Sequence, residues 1–209
     1  RDCLLSRGLG DVYKRQTVNH ISKEKYNFFA LIREQDKSSE LSDLGVDVTI
    51  GDATSEEDIK NFVTSVKDSG EIHGVLHSVG SFAVRPPHAM NKEAFESVIS
   101  TNLTSAFLTL SIAGKAMLSQ GHGRMVFMSS VAGSLGLVNH EAISAAKGGV
   151  ESMVRSAAAT YANRGLRINA VAPGLTDTKL ASPIMSNETA SQAASQKIPI
   201  KRVNEKEEI

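Results

Sequence analysis

Phe28-Phe29-Ala30-Leu31-Ile32 is an unbroken apolar run followed by Arg33. A strand buried on both faces reads this way, and such strands belong to parallel sheets covered by helices. Outward from it, strand-like and helix-like segments alternate. Asp47 to Asp52 is a second strand ending in an acidic turn. Ser55, with Asp58 three residues on, makes a capping-box-like start for a helix whose Ile59, Phe62, Val63 and Val66 keep helical spacing, and that helix stops near Ser69-Gly70. Ile72 to Val79 is a third strand. Asn91 caps a long helix with one apolar face of Phe95, Val98, Ile99, Leu103, Phe107 and Leu110, and Arg124 to Met128 is a fourth strand. The next helix opens near Asn139 and is dense in Ala142, Ala145, Ala146, Gly148, Gly149 and Ala157 to Ala159, small enough for a second helix to approach closely. Arg167 to Ala172 is a fifth strand, ended by Pro173-Gly174. Residues 179–200 turn to Ser, Ala, Asn and Gln, as in a mobile flap or short helices over a site. The alternation predicts a single α/β domain built on a mainly parallel sheet.

Composition agrees. The chain has 209 residues, 41% hydrophobic and 22% charged, which fits one globular domain and excludes a disordered chain or a coiled coil. Lys and Arg number 23 against 23 Asp and Glu, with no basic stripe, so neither nucleic acid nor an anionic membrane surface is indicated as a partner. Small-molecule chemistry is the expectation. Cys3 is the sole cysteine, which excludes an internal disulfide and predicts a reducing, cytoplasmic setting. No apolar run reaches the length of a membrane span. His20, His88 and His122 are expected at the surface, and no His or carboxylate cluster has metal spacing, so no metal is predicted.

Residues 1–16 stand apart. Ser6 to Gln16 read SRGLGDVYKRQ, which resembles the in-frame translation of a transposon-end adapter used in preparing DNA sequencing libraries. Gly8-Leu9-Gly10 would suit a phosphate-binding loop only after a strand, and Arg1 to Leu5 are too short for one. Residues 1–16 are therefore expected to be foreign, with the domain proper spanning 17–209.

Several ordered motifs then coincide. They are His77-Ser78-Val79-Gly80 at the end of the third strand, Thr101-Asn102-Leu103-Thr104 in a helix, Ser129-Ser130-Val131-Ala132-Gly133 after the fourth strand, Lys147 in the small-residue helix, and Pro173-Gly174-Leu175-Thr176-Asp177-Thr178. Together they resemble the short-chain dehydrogenase/reductase family from Thr17 to Ile209. The resemblance implies a doubly wound Rossmann-type parallel sheet that binds a dinucleotide at the carboxyl ends of its strands. It also implies truncation at both ends, with the first strand, its glycine loop and the last strand missing. The activity implied is hydride transfer between a nicotinamide cofactor and a carbonyl or alcohol. Ser130 would hydrogen-bond the substrate oxygen, Lys147 would bind the nicotinamide ribose, and Asn102 would hold a proton-relay water. Asp52 and Ala53 would lie at the adenine, while His77, Ser78 and Gly80 would line the cofactor. Pro173, Gly174, Thr176 and Thr178 would hold the carboxamide end. Arg33 after the first apolar run favours the phosphate of NADP(H) over the free hydroxyl of NAD(H). A homodimer or homotetramer through the helices near 91–119 and 140–163 is implied as well.

One position departs from the pattern. The family's proton donor is a tyrosine four residues before the lysine, and here that residue is Ile143, which has no proton to give. On an ideal helix His140, Ile143 and Lys147 fall within roughly 60° of arc, so His140 is the candidate acid, with an ordered water as the other source and Glu141 pointing farther away. Seven residues separate His140 from Lys147, the tyrosine spacing of enoyl-reductase members, whose third strand also ends in a His-Ser-containing segment. Enoyl reduction and a catalytically inactive dinucleotide-binding or scaffold relative are the alternatives.

Overall fold

The computed structural model describes residues 26–33 and 41–209, together with the backbone of residues 2–6. Its strands are β1 (Asp2–Ser6), β2 (Asn27–Ile32), β3 (Val46–Ile50), β4 (Ile72–His77), β5 (Gly123–Met128) and β6 (Leu166–Val171). They form one sheet in the order β3-β2-β1-β4-β5-β6, with every neighbouring pair parallel. That order is the doubly wound one. The chain reverses its direction of travel across the sheet between β1 and β4, and such a reversal opens a crevice outside the carboxyl ends of the strands.

Side-chain alternation explains why both faces are covered. Phe28, Ala30 and Ile32 of β2 pack with Leu41 and Val46 on one face, while Leu31 joins the main core on the other. That core gathers Ile59, Phe62 and Val66 of α1 (Glu56–Ser69) with Val75, Met125, Phe127 and Ile168 of the sheet. Full burial of a side chain such as Phe127 or Met125 is worth about 1.5–3 kcal/mol each. The Ser55 hydroxyl caps α1 by accepting the Asp58 N–H at 3.2 Å, and the acidic residues Glu56, Glu57 and Asp58 fill its first turn.

Asn91 caps α2 (Lys92–Ile99) by accepting the Ala94 N–H at 2.9 Å. The helix does not run on uniformly. A π-type turn at Ser100–Thr104, closed by the Ser105 N–H on the Ser100 carbonyl, leads into α3 (Ser105–Gln120). Gly121 then ends α3 in the left-handed region, with φ 80°. The small-residue helix is α4 (Glu141–Tyr161), packed on β6. Beyond β6 come α5 (Ser182–Met185) and α6 (Glu188–Lys197), so the 179–200 segment is helical.

Four expectations change. Residues Asp2–Ser6 are long enough for a strand. They pair with β2 on one side and β4 on the other, and so satisfy the backbone edges of both neighbours. The first strand is therefore present, whereas Gly8 and Gly10 lie outside the described residues. The apolar face assigned to 91–119 is only partly inward: Val98 and Leu110 are buried, but Phe95 and Phe107 are exposed. The helical run Lys92–Gln120 is long and apolar enough to cross a membrane by length and composition, contrary to the expected lack of such a run. In the fold its Ala106, Leu110, Ala113 and Met117 are spent in the core against the sheet. Finally, β4 ends at His77 rather than Val79, His77 being its last residue paired to either neighbouring strand.

Candidate active site

The carboxyl end of β5 carries the site. Ser129 N–H donates to the Val171 carbonyl at 2.7 Å and Val131 N–H to the Pro173 carbonyl at 3.0 Å, so the serine segment is stitched to the end of β6. Ser130 caps a short 3-10 turn, Val131–Gly133, its oxygen accepting the Ala132 N–H at 3.2 Å. That turn lies hard against α4. A Cβ on Gly133 would stand 2.9 Å from the Gly148 nitrogen and 3.0 Å from the Lys147 carbonyl carbon, so only glycine permits the approach. Ser129 completes the clamp. Its hydroxyl is 2.8 Å from Glu151 Oε1 and 3.1 Å from the Lys147 carbonyl, and Glu151 Oε2 accepts from Ser134 at 2.7 Å.

Lys147 is 2% exposed, and its Nζ donates to the Met128 carbonyl at 2.7 Å. Burial pushes the ammonium down to about 8 from its ordinary 10.5. Among the described residues this carbonyl is the one recorded acceptor for a group with three donors. A buried cation with donors to spare at the rim of the crevice is the strongest chemical feature here.

Asn102 sits in the π-type turn and is fully buried. Its Nδ2 donates to the Val98 carbonyl and the Ser81 hydroxyl, both at 2.9 Å, and its Oδ1 accepts the Ser81 N–H at 3.1 Å. The loop leaving β4 at Gly80-Ser81 is thereby pinned to the helix. His77 turns inward. Its Nε2 is 3.0 Å from the Ser105 hydroxyl, and its ring lies 5.6 Å from that of Phe127, so the imidazole belongs to the core. Ser78 is buried beside it.

Ile143 is buried among Val98, Ala132, Ala142 and Ala146, one turn before Lys147. His140 is the N-cap of α4 rather than a member of it. Its carbonyl accepts the Ser144 N–H at 2.7 Å, the first bond of the helix, while its φ −106°, ψ 13° depart from helical values, so the ideal-helix arc from His140 to Lys147 holds only approximately. Its Nδ1 lies 2.7 Å from the Val138 carbonyl, an acceptor, so Nδ1 carries a hydrogen and Nε2 is the exchangeable position. Glu141 faces elsewhere. With Arg85 and Lys92 it lines a cavity of about 270 Å³ that neither Ser130, Lys147 nor Asn102 borders.

At the far end of the crevice Arg33 and Asp52 meet. Arg33 Nη2 reaches the two Asp52 oxygens at 2.9 and 2.7 Å, and Thr54 donates to Asp52 from both N–H and hydroxyl at 2.8 Å. Partial burial opposes ionisation of Asp52, but the Arg33 and Thr54 hydrogen bonds outweigh it and hold the carboxyl below its usual value. Ala53 is buried next to the pair. Beyond β6, Thr176 and Thr178 are buried, and Thr178 caps the 3-10 turn Lys179–Ala181. Asn204 returns to this turn: its N–H donates to the Leu175 carbonyl and its carbonyl accepts the Asp177 N–H, both at 3.0 Å.

Comparison with known proteins gives this arrangement its place. Residues 16–209 match the family model described as Enoyl-(Acyl carrier protein) reductase. The chain belongs to that family, within the short-chain dehydrogenases/reductases. It is 35% identical over 160 residues to cis-4-hydroxycyclohexanecarboxylate dehydrogenase of Sinomonas cyclohexanicum, an alignment covering 76% of this chain and 64% of that protein. It is 35% identical over 159 residues to the 3-oxoacyl-[acyl-carrier-protein] reductase MabA of Mycobacterium bovis, with the same coverage. The alignments thus span less than two thirds of these relatives' length. In structure it superimposes on actinorhodin polyketide ketoreductase, solved with NADPH, at a TM-score of 0.89 and 26% identity, covering 100% of this chain and 86% of that one.

In this short-chain dehydrogenase/reductase, Ser130, Lys147, Asn102, Arg33 and Asp52 were the residues that the family resemblance singled out. The partners that hold them were not evident. Ser129 and Glu151 are far apart in sequence, and Ser81 was hidden in an uncharacterised loop, though its position directly after Gly80 was the available signal. The expectation of no metal-type spacing concerned residues close in sequence, and it does not register a grouping that only the fold makes. Glu71, His73 and His122 bring ligand atoms within 4.8 Å of one another at the opposite end of β4. His88 is exposed as expected, and His20 lies outside the described residues.

Proposed function

We propose that the domain takes a nicotinamide dinucleotide, NADP(H) in preference to NAD(H), and interconverts a carbonyl and an alcohol on a small molecule. The observation that carries this reading is the Lys147 ammonium, buried at the crevice with two donors beyond the one spent on Met128. Vicinal ribose hydroxyls suit those donors. The actinorhodin ketoreductase with NADPH supports the same cofactor class.

When bound, the nicotinamide ring supplies or accepts the hydride. The chain's own residues do the rest. Ser130 accepts the Ala132 N–H on its oxygen, so its hydroxyl hydrogen is free to donate to the substrate oxygen, where negative charge develops during reduction. Asn102 acts as a positioning residue. Both Nδ2 hydrogens are spent on protein acceptors and Oδ1 already takes the Ser81 N–H, which leaves the second lone pair of Oδ1 for a water. The Arg33 guanidinium reaches Asp52 through Nη2 alone, leaving Nη1 and Nε to meet a phosphate on the adenosine ribose. In its imidazolium form His140 would carry on Nε2 the proton that goes to the substrate oxygen and return to the neutral ring, oriented by the Nδ1 hydrogen bond to Val138.

The test is NADPH oxidation by ketones with the wild type, His140→Ala and Ile143→Tyr. Loss of turnover in His140→Ala, with recovery when Ile143→Tyr is combined with it, supports the assignment. Unchanged turnover without the imidazole removes His140 and leaves water as donor.

Enoyl reduction is the second reading, favoured by the seven-residue spacing of His140 and Lys147 and by the description of the matching family model. Oxidation of NADPH by an α,β-unsaturated thioester but not by ketones would select it. Self-association through α2, α3 and α4 belongs to the same proposal: Phe95 and Phe107 lie exposed on one helical run, and α4 is lined with small residues. The setting expected for such chemistry is the cytoplasm.

A further inference from the structure

At the amino ends of the strands, far from Ser130 and Lys147, two imidazoles and a carboxylate converge. Glu71 Oε2 is 3.4 Å from His122 Nε2 and 3.8 Å from His73 Nε2, and the ligand atoms of all three lie within 4.8 Å of one another. We propose that Glu71, His73 and His122 form a binding site for one divalent transition-metal ion of the zinc type, which staples the start of β4 to the turn before β5. This site is independent of the proposed oxidoreduction.

The ligand chemistry fits. Neutral imidazole nitrogens with one carboxylate make a donor set that zinc accepts readily, leaving a fourth position for water. Metal–ligand bonds of about 2.0–2.2 Å in a tetrahedron place donor atoms roughly 3.4 Å apart. The Glu71–His122 separation of 3.4 Å already meets this, and the Glu71–His73 pair needs to close by a few tenths of an ångström. Glu71 is exposed and free to make that adjustment.

Orientation is already set. His73 Nδ1 lies 2.9 Å from the Glu71 carbonyl, so Nδ1 carries the hydrogen and the Nε2 lone pair faces the cluster. A hydrogen bond from the far ring nitrogen to a backbone carbonyl is the usual support of a metal-binding histidine. Tyr26 packs edge-on against the same ring at 6.1 Å. The scaffold beneath His122 is fixed as well. The Gln120 carboxamide bonds both N–H and carbonyl of Ile72 at 3.0 Å, locking the end of α3 to the residue between Glu71 and His73. Gly121, at φ 80°, then turns the chain so that His122 faces back across β4.

Distance separates this site from the reaction. His73 and His77 are four residues apart on β4, about 13 Å at strand rise, and His77 marks the catalytic end. An ion here stabilises the fold and takes no part in hydride transfer.

The experiment is calorimetric titration of Zn²⁺ into the untagged full chain, with thermal unfolding followed in parallel. One equivalent is expected to bind and to raise Tm. His73→Gln and His122→Gln should each weaken binding at least about tenfold and erase the rise in Tm, whereas His88→Gln should change neither. Circular dichroism matching the wild type establishes that the variants are folded, and His122 is exposed enough for its replacement to leave the core intact. Absence of saturable Zn²⁺ binding, or binding that survives in both His73→Gln and His122→Gln, overturns the proposal. Neither result bears on NADPH oxidation, so the two readings fail separately.

Discussion

Lys147 and Arg33 are two cations at the same crevice, held in opposite ways. Lys147 is 2% exposed and leans on a single backbone carbonyl, whereas the Arg33 side chain is 56% exposed and spends one nitrogen on a carboxylate. An exposed pair of that kind contributes about 0–1 kcal/mol and can rearrange readily around a ligand. A buried ammonium with unused donors is costly to maintain, and folding alone gives no reason to keep it. The difference separates the residue on which the proposed chemistry rests from the one proposed to tune cofactor choice.

The sharpest way to break the comparison is Lys147→Met. It should abolish NADPH-dependent turnover, by at least about a hundredfold, while leaving the protein folded. It should also change the pH dependence of stability. With the folded ammonium at about 8 and the unfolded one at 10.5, the unfolded chain holds more protons between those values, so wild-type stability rises as pH climbs from about 8 to 10.5. That gain is fully present above 10.5 and lost as pH falls through 8. Urea unfolding across this range should show the slope in the wild type and not in Lys147→Met.

Ser130→Ala comes next. Loss of a donor aimed at a developing oxyanion costs about 10²–10³ in kcat, and steady-state kinetics with cofactor binding unchanged would confirm it. Ile143→Tyr should work in the other direction. Restoring an acid one turn before Lys147 is expected to raise turnover about a hundredfold, within the range of general acid catalysis. A fall in turnover would show that the apolar packing of Ile143 with Val98 and Ala132 matters more than the proton. Arg33→Ala is the smallest effect: KM for NADPH should rise about tenfold, equivalent to about 1.4 kcal/mol, with KM for NADH unchanged.

The sheet and its helices were legible because period and punctuation are local. Phe28 to Ile32 reads as a doubly buried strand and becomes one, and Ser55 and Asn91 cap the helices they were expected to cap. Asp2–Ser6 was missed because its strand character comes from two waiting neighbours rather than from its own five residues. The same limit applies at the site. Ser130 and Lys147 stood out through their resemblance to the family's motifs, but the Ser129–Glu151–Ser134 network, the pinning of Ser81 by Asn102 and the Arg33–Asp52 pair are products of tertiary approach. His140 stands at the boundary: periodicity carried the helix to it, and in the fold it is the N-cap of α4, with its carbonyl in the helical ladder and its φ and ψ outside it.

The central claim is that this site transfers hydride although Ile143 stands where the family's tyrosine would be. Single-turnover oxidation of protein-bound NADPH, followed at its absorbance maximum with ketone substrates, tests it most directly. The account predicts a decay that requires both Ser130 and Lys147 and slows in His140→Ala. Tight NADPH binding with no decay for any ketone or unsaturated thioester would contradict it and make this chain a dinucleotide-binding protein without turnover.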